Sequence, residues 1–259
     1  MHTLPIKDVE TIVRLVAEAG DPTEQMSLPE RKRALLLGVA DLIGADVWLW
    51  SASVPNPDVP GDVVTANLID GGWENDRQQT HVYEALSDTP FARKVQAPII
   101  QAALDGRYVT FMRGDLISDD QWAEFGLVWR RTGLEHLLLT VYPISNDAYS
   151  AVGFHRRQGR PNFTERERSI VHVIFSQVTW LHRHGTNLPV NRQVVHLSPR
   201  DRQVLVFLLG GHSKKEIAIR LEISEHTVGD YIKRLHKHFA VNTRAELQAI
   251  FHTGTPSIA

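Results

Sequence analysis

Apolar residues recur along residues 6–19 at Ile6, Val9, Ile12, Val13 and Val16, which predicts one amphipathic helix ended by Gly20-Asp21-Pro22. Its stripe fits packing on its own domain or on a second subunit, and both readings stay open. Residues 28–43 predict a second such helix, with Leu35, Leu36, Val39, Leu42 and Ile43 inward and Gly44 at its end. Residues 45–51 predict a strand with Val47 and Leu49 on one face and Trp48 and Trp50 on the other. Apolar residues on both faces imply cover on both sides. Pro55, Pro57, Pro60 and Gly61 mark a loop before a second strand over 62–69.

Residues 74–105 are polar and mixed, and are read as helical pieces interrupted at Pro90 and Pro98. A strand is predicted at 107–113 and a helix at 119–132, closed by Gly133. Residues 135–144 and 148–156 form a strand pair around Ser145-Asn146-Asp147. One long helix follows at 164–183, opened by a Thr164/Glu167 capping box. This order predicts an α+β domain on one antiparallel sheet over 1–183. Residues 184–195 read as a linker, and 196–259 as a separate helical domain.

The tail is punctuated by caps. Ser198 precedes Pro199, Ser213 and Glu216 form a capping box, Ser224 opens a third helix, and Thr243 with Glu246 opens a fourth. Short helices with short turns describe a helix-turn-helix unit. The stretch Leu197-Ser198-Pro199-Arg200-Asp201, then Gly211-x-Ser213-x-Lys215-Glu216-Ile217-Ala218-x-x-Leu221, Ile223-Ser224-x-x-Thr227-Val228 and Val241-x-x-Arg244-Ala245-Glu246-Leu247 resembles the DNA-binding domain of LuxR-type transcription regulators. The resemblance implies a sequence-specific regulator that binds double-stranded DNA as a homodimer and can contact RNA polymerase. The N-terminal part resembles a GAF-type sensory domain, or its PAS relatives, on element order and on Pro161-Asn162-Phe163-Thr164-Glu165-Arg166-Glu167.

Within the tail, Val228, Ile232, Leu235 and Phe239 recur at steps of four and three and should face the domain core. The candidate DNA contacts are Lys214, Lys215, Ser224, His226, Thr227, Asp230, Lys233, Arg234 and Lys237. Lysine suits phosphate, and arginine can be bidentate to guanine. The family usually has a lysine after Thr227-Val228, where this chain has Gly229 followed by Asp230. His238 and Ala240 replace a basic residue and a glycine, and Asp201 replaces a glutamate. These departures keep a second reading open, an interaction protein with weakened DNA binding. Leu247, Ile250 and Phe251 on the fourth helix are the candidate dimerisation residues; completing the monomer core is the alternative.

Composition adds bounds. The chain has 259 residues and no cysteine, which excludes disulfides and thiol chemistry. There is no apolar run of membrane length, and the opening mixes acids with bases where a signal peptide has an apolar core, so a cytoplasmic protein without membrane contact is expected. Residues 196–252 carry nine Lys+Arg against six Asp+Glu, leaving 19 bases and 24 acids elsewhere, out of 28 and 30 in all. A mildly basic module on an acidic body fits nucleic-acid binding by the small part.

Trp48, Trp50, Phe111, Tyr142 and Phe154 fall on predicted strands. They line a pocket for a small-molecule effector, or they are ordinary core. The aromatic and aspartate pattern of the acyl-homoserine lactone branch is not found, nor the opening of a phospho-receiver domain. No catalytic motif, metal site or cofactor is predicted, because glycine-rich phosphate loops, G-x-S-x-G and H-E-x-x-H are all missing. A small-molecule enzyme with an accessory tail is the distant alternative.

Overall fold

The computed structural model describes residues 3–21, 26–55, 63–86, 90–125, 127–145, 148–183, 197–209 and 211–253. Helices α1 (Ile6–Gly20) and α2 (Leu28–Ile43) lead into strands β1 (Val47–Pro55) and β2 (Val63–Gly71). Then come α3 (Asp76–Leu86), α4 (Pro90–Leu104), β3 (Val109–Met112), α5 (Arg113–Leu116), α6 (Asp119–Phe125) and α7 (Leu127–Arg130). The hairpin β4 (Leu134–Ser145) and β5 (Ala148–Arg157) precedes α8 (Glu165–Gln177) and α9 (Thr179–Arg183). The tail holds α10 (Pro199–Leu209), α11 (Lys214–Arg220), α12 (Glu225–His238) and α13 (Arg244–Thr253). No helix among the described residues is long and apolar enough to cross a membrane.

The five strands form one antiparallel sheet in the order β2-β1-β5-β4-β3. Alternation along β1 divides its side chains as the sequence predicts. Trp48 and Trp50 join Phe154, Leu138 and Val152 under α1, α2 and α8. Val47 and Leu49 pack on the other side with Val82, Ala85, Trp129 and Leu134. The central strands are buried on both faces, so the N-terminal part is an α+β domain with helices above and below the sheet.

The segment before α8 is fixed by a buried arginine. Arg156 donates from Nε to the Gly44 carbonyl at 3.1 Å and from Nη1 to the carbonyls of Pro161 and Asn162 at 3.0 and 2.9 Å. Its guanidinium lies 4.2 Å from the Phe163 ring centroid. The α2 C-terminus is thereby tied to the entry of α8, whose Thr164/Glu167 capping box is formed as expected. Gly44 takes φ 61°, the left-handed conformation that ends α2.

Three expectations are corrected. Helix α4 runs through Pro98, which forfeits one backbone bond without ending the helix. The helix expected over 119–132 is described as α6 and α7, with residue 126 between them outside the described residues. The one expected over 164–183 breaks at Val178, whose ψ of 40° leaves the helical range. The single stripe read on α1 is two, since Ile12 belongs with the buried Asp8, Leu15 and Ala19, while Ile6, Val9 and Val13 are exposed. The expected linker, 184–195, lies outside the described residues, as do Asn146 and Asp147 of the expected turn.

Candidate nucleic-acid interface

Local chemistry sets the tail's helices. The Ser213 hydroxyl accepts from Glu216 N at 3.3 Å, while Ser213 N donates to the Glu216 carboxylate at 2.6 Å. The Ser224 hydroxyl accepts from Thr227 N at 3.0 Å and lies 2.8 Å from Thr227 Oγ1. Between α11 and α12 the chain turns at Glu222, with φ 53°, and Ile223 N donates to the Ala218 carbonyl at 3.0 Å. Arg200 Nη2 holds the same turn through the Leu221 carbonyl at 2.6 Å. Arg244 reaches the carbonyls of His212 and Leu208 at 2.9 and 2.7 Å and so pins α13 to the α10–α11 turn. Val204, Leu205, Ile217, Val228, Leu235 and Phe239 fill the space between, as their spacing predicts.

The outer side of α12 carries the candidate reading residues. His226, Lys233 and Lys237 are exposed, as are Lys214 and Lys215 on the preceding helix. Asp230 lies between two of these groups, with His226 Nε2 at 3.7 Å and Lys233 Nζ at 3.6 Å. Its carboxylate is thus offset within the helix, at the cost of some positive field. Gly229 has a neighbour that explains it. A Cβ placed there would stand 2.8 Å from Lys214 Nζ and 3.1 Å from Lys214 Cε. The lysine lies across the glycine and carries an ammonium to the spot where the resemblance leads one to expect a lysine on α12 itself.

Residues 195–251 match the family model described as bacterial regulatory proteins, luxR family. The C-terminal domain is a LuxR-family regulatory domain. Among solved structures, Escherichia coli SdiA has 18% identity and a TM-score of 0.43, over 96% of this chain and 97% of that one. SdiA in complex with octanoyl-rac-glycerol has 17% identity and a TM-score of 0.44, over 96% and 95%. The VqsR LBD domain from Pseudomonas aeruginosa has 11% identity and a TM-score of 0.43, over 69% and 92%. No curated protein sequence matches the chain.

Several candidate residues of the LuxR-type domain are otherwise engaged. Arg234 stays 56% exposed but is tethered, its Nε donating to Asp201 on α10 at 3.1 Å and its guanidinium lying 4.2 Å from the Tyr231 ring centroid. The hydroxyls of Ser224 and Thr227 are committed to the α12 cap. Leu247 is fully buried in the domain's own core, so it is not available for the pairing surface expected of it. The side chains of Ile250 and Phe251 lie outside the described residues.

The LuxR-type domain docks on the N-terminal domain through α10 and α11. Phe207 of α10 meets Tyr83 of α3 with ring centroids 5.4 Å apart. The Tyr83 hydroxyl donates to Asp70 on β2, and Gln79 Nε2 donates to the same carboxylate at 3.1 Å. Burial, and then the Asp70 charge, push the Tyr83 hydroxyl well above its ordinary pKa, so it stays a donor. Arg220 of α11 pairs with Asp76 of α3 at 2.6 Å and also touches His212. Burial, and then Arg220, hold His212 below its ordinary pKa. Ile144 and Ala148 of the β4–β5 hairpin complete the contact. Sequence reasoning missed this seam. Its one local signal is Phe207, an apolar residue beside the Val204, Leu205 and Leu208 stripe, which gives α10 a second buried side.

The five aromatics proposed as a pocket do not line one face. Phe111 packs with Ile99, Ile100 and Val141 on the α4 side of the sheet. Trp48, Trp50 and Phe154 lie under α1, α2 and α8. Tyr142 stacks on His182 with centroids 4.4 Å apart and planes 6° from parallel. This second side is a closed network. Trp50 Nε1 donates to Ser150 Oγ at 2.7 Å, and His182 Nδ1 lies 2.9 Å from the same oxygen. His182 Nε2 is 2.9 Å from the Phe175 carbonyl, which can only accept. The proton therefore sits on Nε2, and Nδ1 takes the Ser150 hydroxyl proton. Burial pushes His182 down to about 3, which keeps the ring neutral.

Proposed function

We propose that the chain is a sequence-specific, DNA-binding transcription regulator acting as a homodimer, with a GAF-like N-terminal domain that senses a small molecule or a partner. The observation that carries this is the outer face of α12, where His226, Lys233 and Lys237 stand exposed and Lys214 is laid over Gly229. An α-helix presented in this way fits the major groove, where base edges are distinguishable. The five-stranded antiparallel sheet supports the sensory reading by its element order. RNA polymerase is the expected partner of an activating form, and the cytoplasm the expected location. The test is selection of full-length protein against a random duplex library at two salt concentrations. A regulator enriches a two-fold symmetric site and loses affinity steeply with salt. Enrichment of no sequence sinks the proposal.

A second reading has its own observation. Arg234 is held by Asp201, and Lys233 is offset by Asp230, so two of the cations on α12 are internally compensated. An interaction protein with weak DNA affinity follows from that. It predicts a shallow salt dependence and no enriched site in the same selection.

A further inference from the structure

The outer face of α12 carries a carboxylate at its centre, where a surface that meets phosphates has least use for one. At about 100° per residue, His226, Asp230 and Lys237 lie within about 20° of the line opposite Val228, which is fully buried. With this face toward a groove, these three side chains point at its floor. The other cations stand to the sides. Lys233 and Arg234 lie about 40° and about 60° away on opposite flanks. Lys214 reaches one flank from α11 by crossing Gly229, its Nζ 2.8 Å from where a Cβ would be. Groups on the flanks meet the phosphates of the groove walls, and groups at the centre meet base edges. Asp230 keeps 48% of its side chain exposed, with His226 Nε2 at 3.7 Å and Lys233 Nζ at 3.6 Å. Both contacts are longer than hydrogen bonds, so they offset the charge without occupying the carboxylate's lone pairs.

We infer that Asp230 is a base-reading residue that selects the cytosine of a C·G pair in each half-site, an inference that rests on the regulator reading above. A carboxylate accepts hydrogen bonds and donates none. In the major groove guanine offers only the acceptors N7 and O6, and thymine the acceptor O4 beside a methyl group, so neither pairs with it. Adenine has a donor at N6 but an acceptor, N7, next to it, which suits an amide that both accepts and donates. Cytosine offers its N4 donor and no acceptor of its own. The guanine opposite places O6 beside that donor, and the Lys233 ammonium, 3.6 Å from Asp230, is a donor at the matching side. Asp230 and Lys233 thus present an acceptor and a donor next to each other, the complement of the C·G edge. Position along the helix agrees. Asp230 lies in the first half of α12, and a recognition helix contacts base edges with its N-terminal residues.

The test is selection from a random duplex library with the full chain as wild type, Asp230→Asn and Asp230→Ala, followed by titration of the enriched duplex and its single-pair variants. The wild type should fix one C·G pair in each half-site, and replacing that pair by T·A should weaken binding about tenfold or more. Asp230→Asn keeps the size of the side chain and gains an amide donor, so its preferred pair at that position should become A·T. Asp230→Ala should lose the preference at that pair alone and keep the rest of the site, which also shows that the variant is folded. Its binding to unrelated duplexes should be no weaker than that of the wild type, because a negative charge near phosphates has been removed. An Asp230→Ala variant with the wild-type preference, or an Asp230→Asn variant that still prefers C·G, overturns this inference alone. So does loss of all sequence preference in both variants, which would make the residue structural. Enrichment of no sequence by the wild type overturns the regulator reading and this inference with it.

Discussion

Replacing Gly229 by alanine tests how α12 is built. Gly229 lies within α12 and is not among the residues with positive φ. Alanine meets no backbone penalty there, and the helix should gain about 0.8–1 kcal/mol. Against this stands the contact with Lys214, whose Nζ and Cε lie 2.8 and 3.1 Å from the new methyl. Both atoms are at the free end of an exposed side chain, so moving them should cost no more than about 0.5 kcal/mol. The net expectation is a gain of about 0.5 kcal/mol. All six tryptophans lie at or before residue 180, so intrinsic fluorescence does not report on this helix. Hydrogen exchange of α12 amides in the full-length protein does, and a gain of this size slows their exchange about twofold. The variant also displaces the Lys214 ammonium from its place across the helix. If that ammonium meets a phosphate, the salt dependence of DNA binding should become shallower by about one unit. Faster exchange in α12 would refute the stability argument, and an unchanged salt slope would refute the role given to Lys214.

Other expectations follow from the same geometry. Lys233→Ala should weaken DNA binding and leave the melting temperature unchanged; equal affinity in a titration would mean that α12 does not enter the groove by this face. His155 and His182 are both pushed by burial to about 3, against about 6.5 when unfolded. The unfolded chain then takes up protons first, so stability should fall as the pH drops below 6.5, each histidine adding up to about 1.4 kcal/mol per pH unit. Urea midpoints that stay flat from pH 7.5 to pH 5 would contradict both placements. Tyr83→Ala should remove the ring contact with Phe207 and raise hydrogen exchange in α3 and α10 together, by about tenfold for a loss near 1.4 kcal/mol. A change in α3 alone would mean that the domains are held by other contacts.

The sequence made the tail legible because its signals are local. Ser213 and Glu216, or Ser224 and Thr227, are three residues apart, and a cap is completed within one turn. What it hid is non-local. Nothing near Arg234 in the chain shows that Asp201, 33 residues away, accepts from its guanidinium. Gly229 looked like a gap in the charged face until Lys214, one helix earlier, filled it. Phe111 falls apart from the other four aromatics for a related reason. Alternation assigns faces within a strand, but whether Phe111 shares a face with Trp50 depends on sheet order and register, which no local spacing encodes. On α1 the two seams interleave so closely that five apolar residues read as one stripe. Pro98 shows the opposite error, a local breaker overridden by packing.

The seam between the domains sets a limit on control. Asp76 is 69% exposed, so its pair with Arg220 contributes at most about 1 kcal/mol, and the Tyr83–Phe207 contact adds about 0.5–1.5 kcal/mol. An effector acting by releasing this joint can change DNA affinity by no more than the free energy the joint stores, and DNA must change affinity for the effector by the same factor. For these two contacts, about 1.5–2.5 kcal/mol together, that is roughly tenfold to seventyfold. Such a protein would work as a dimmer with a shallow dose response, and steepness in its output would have to come from dimerisation or from the promoter.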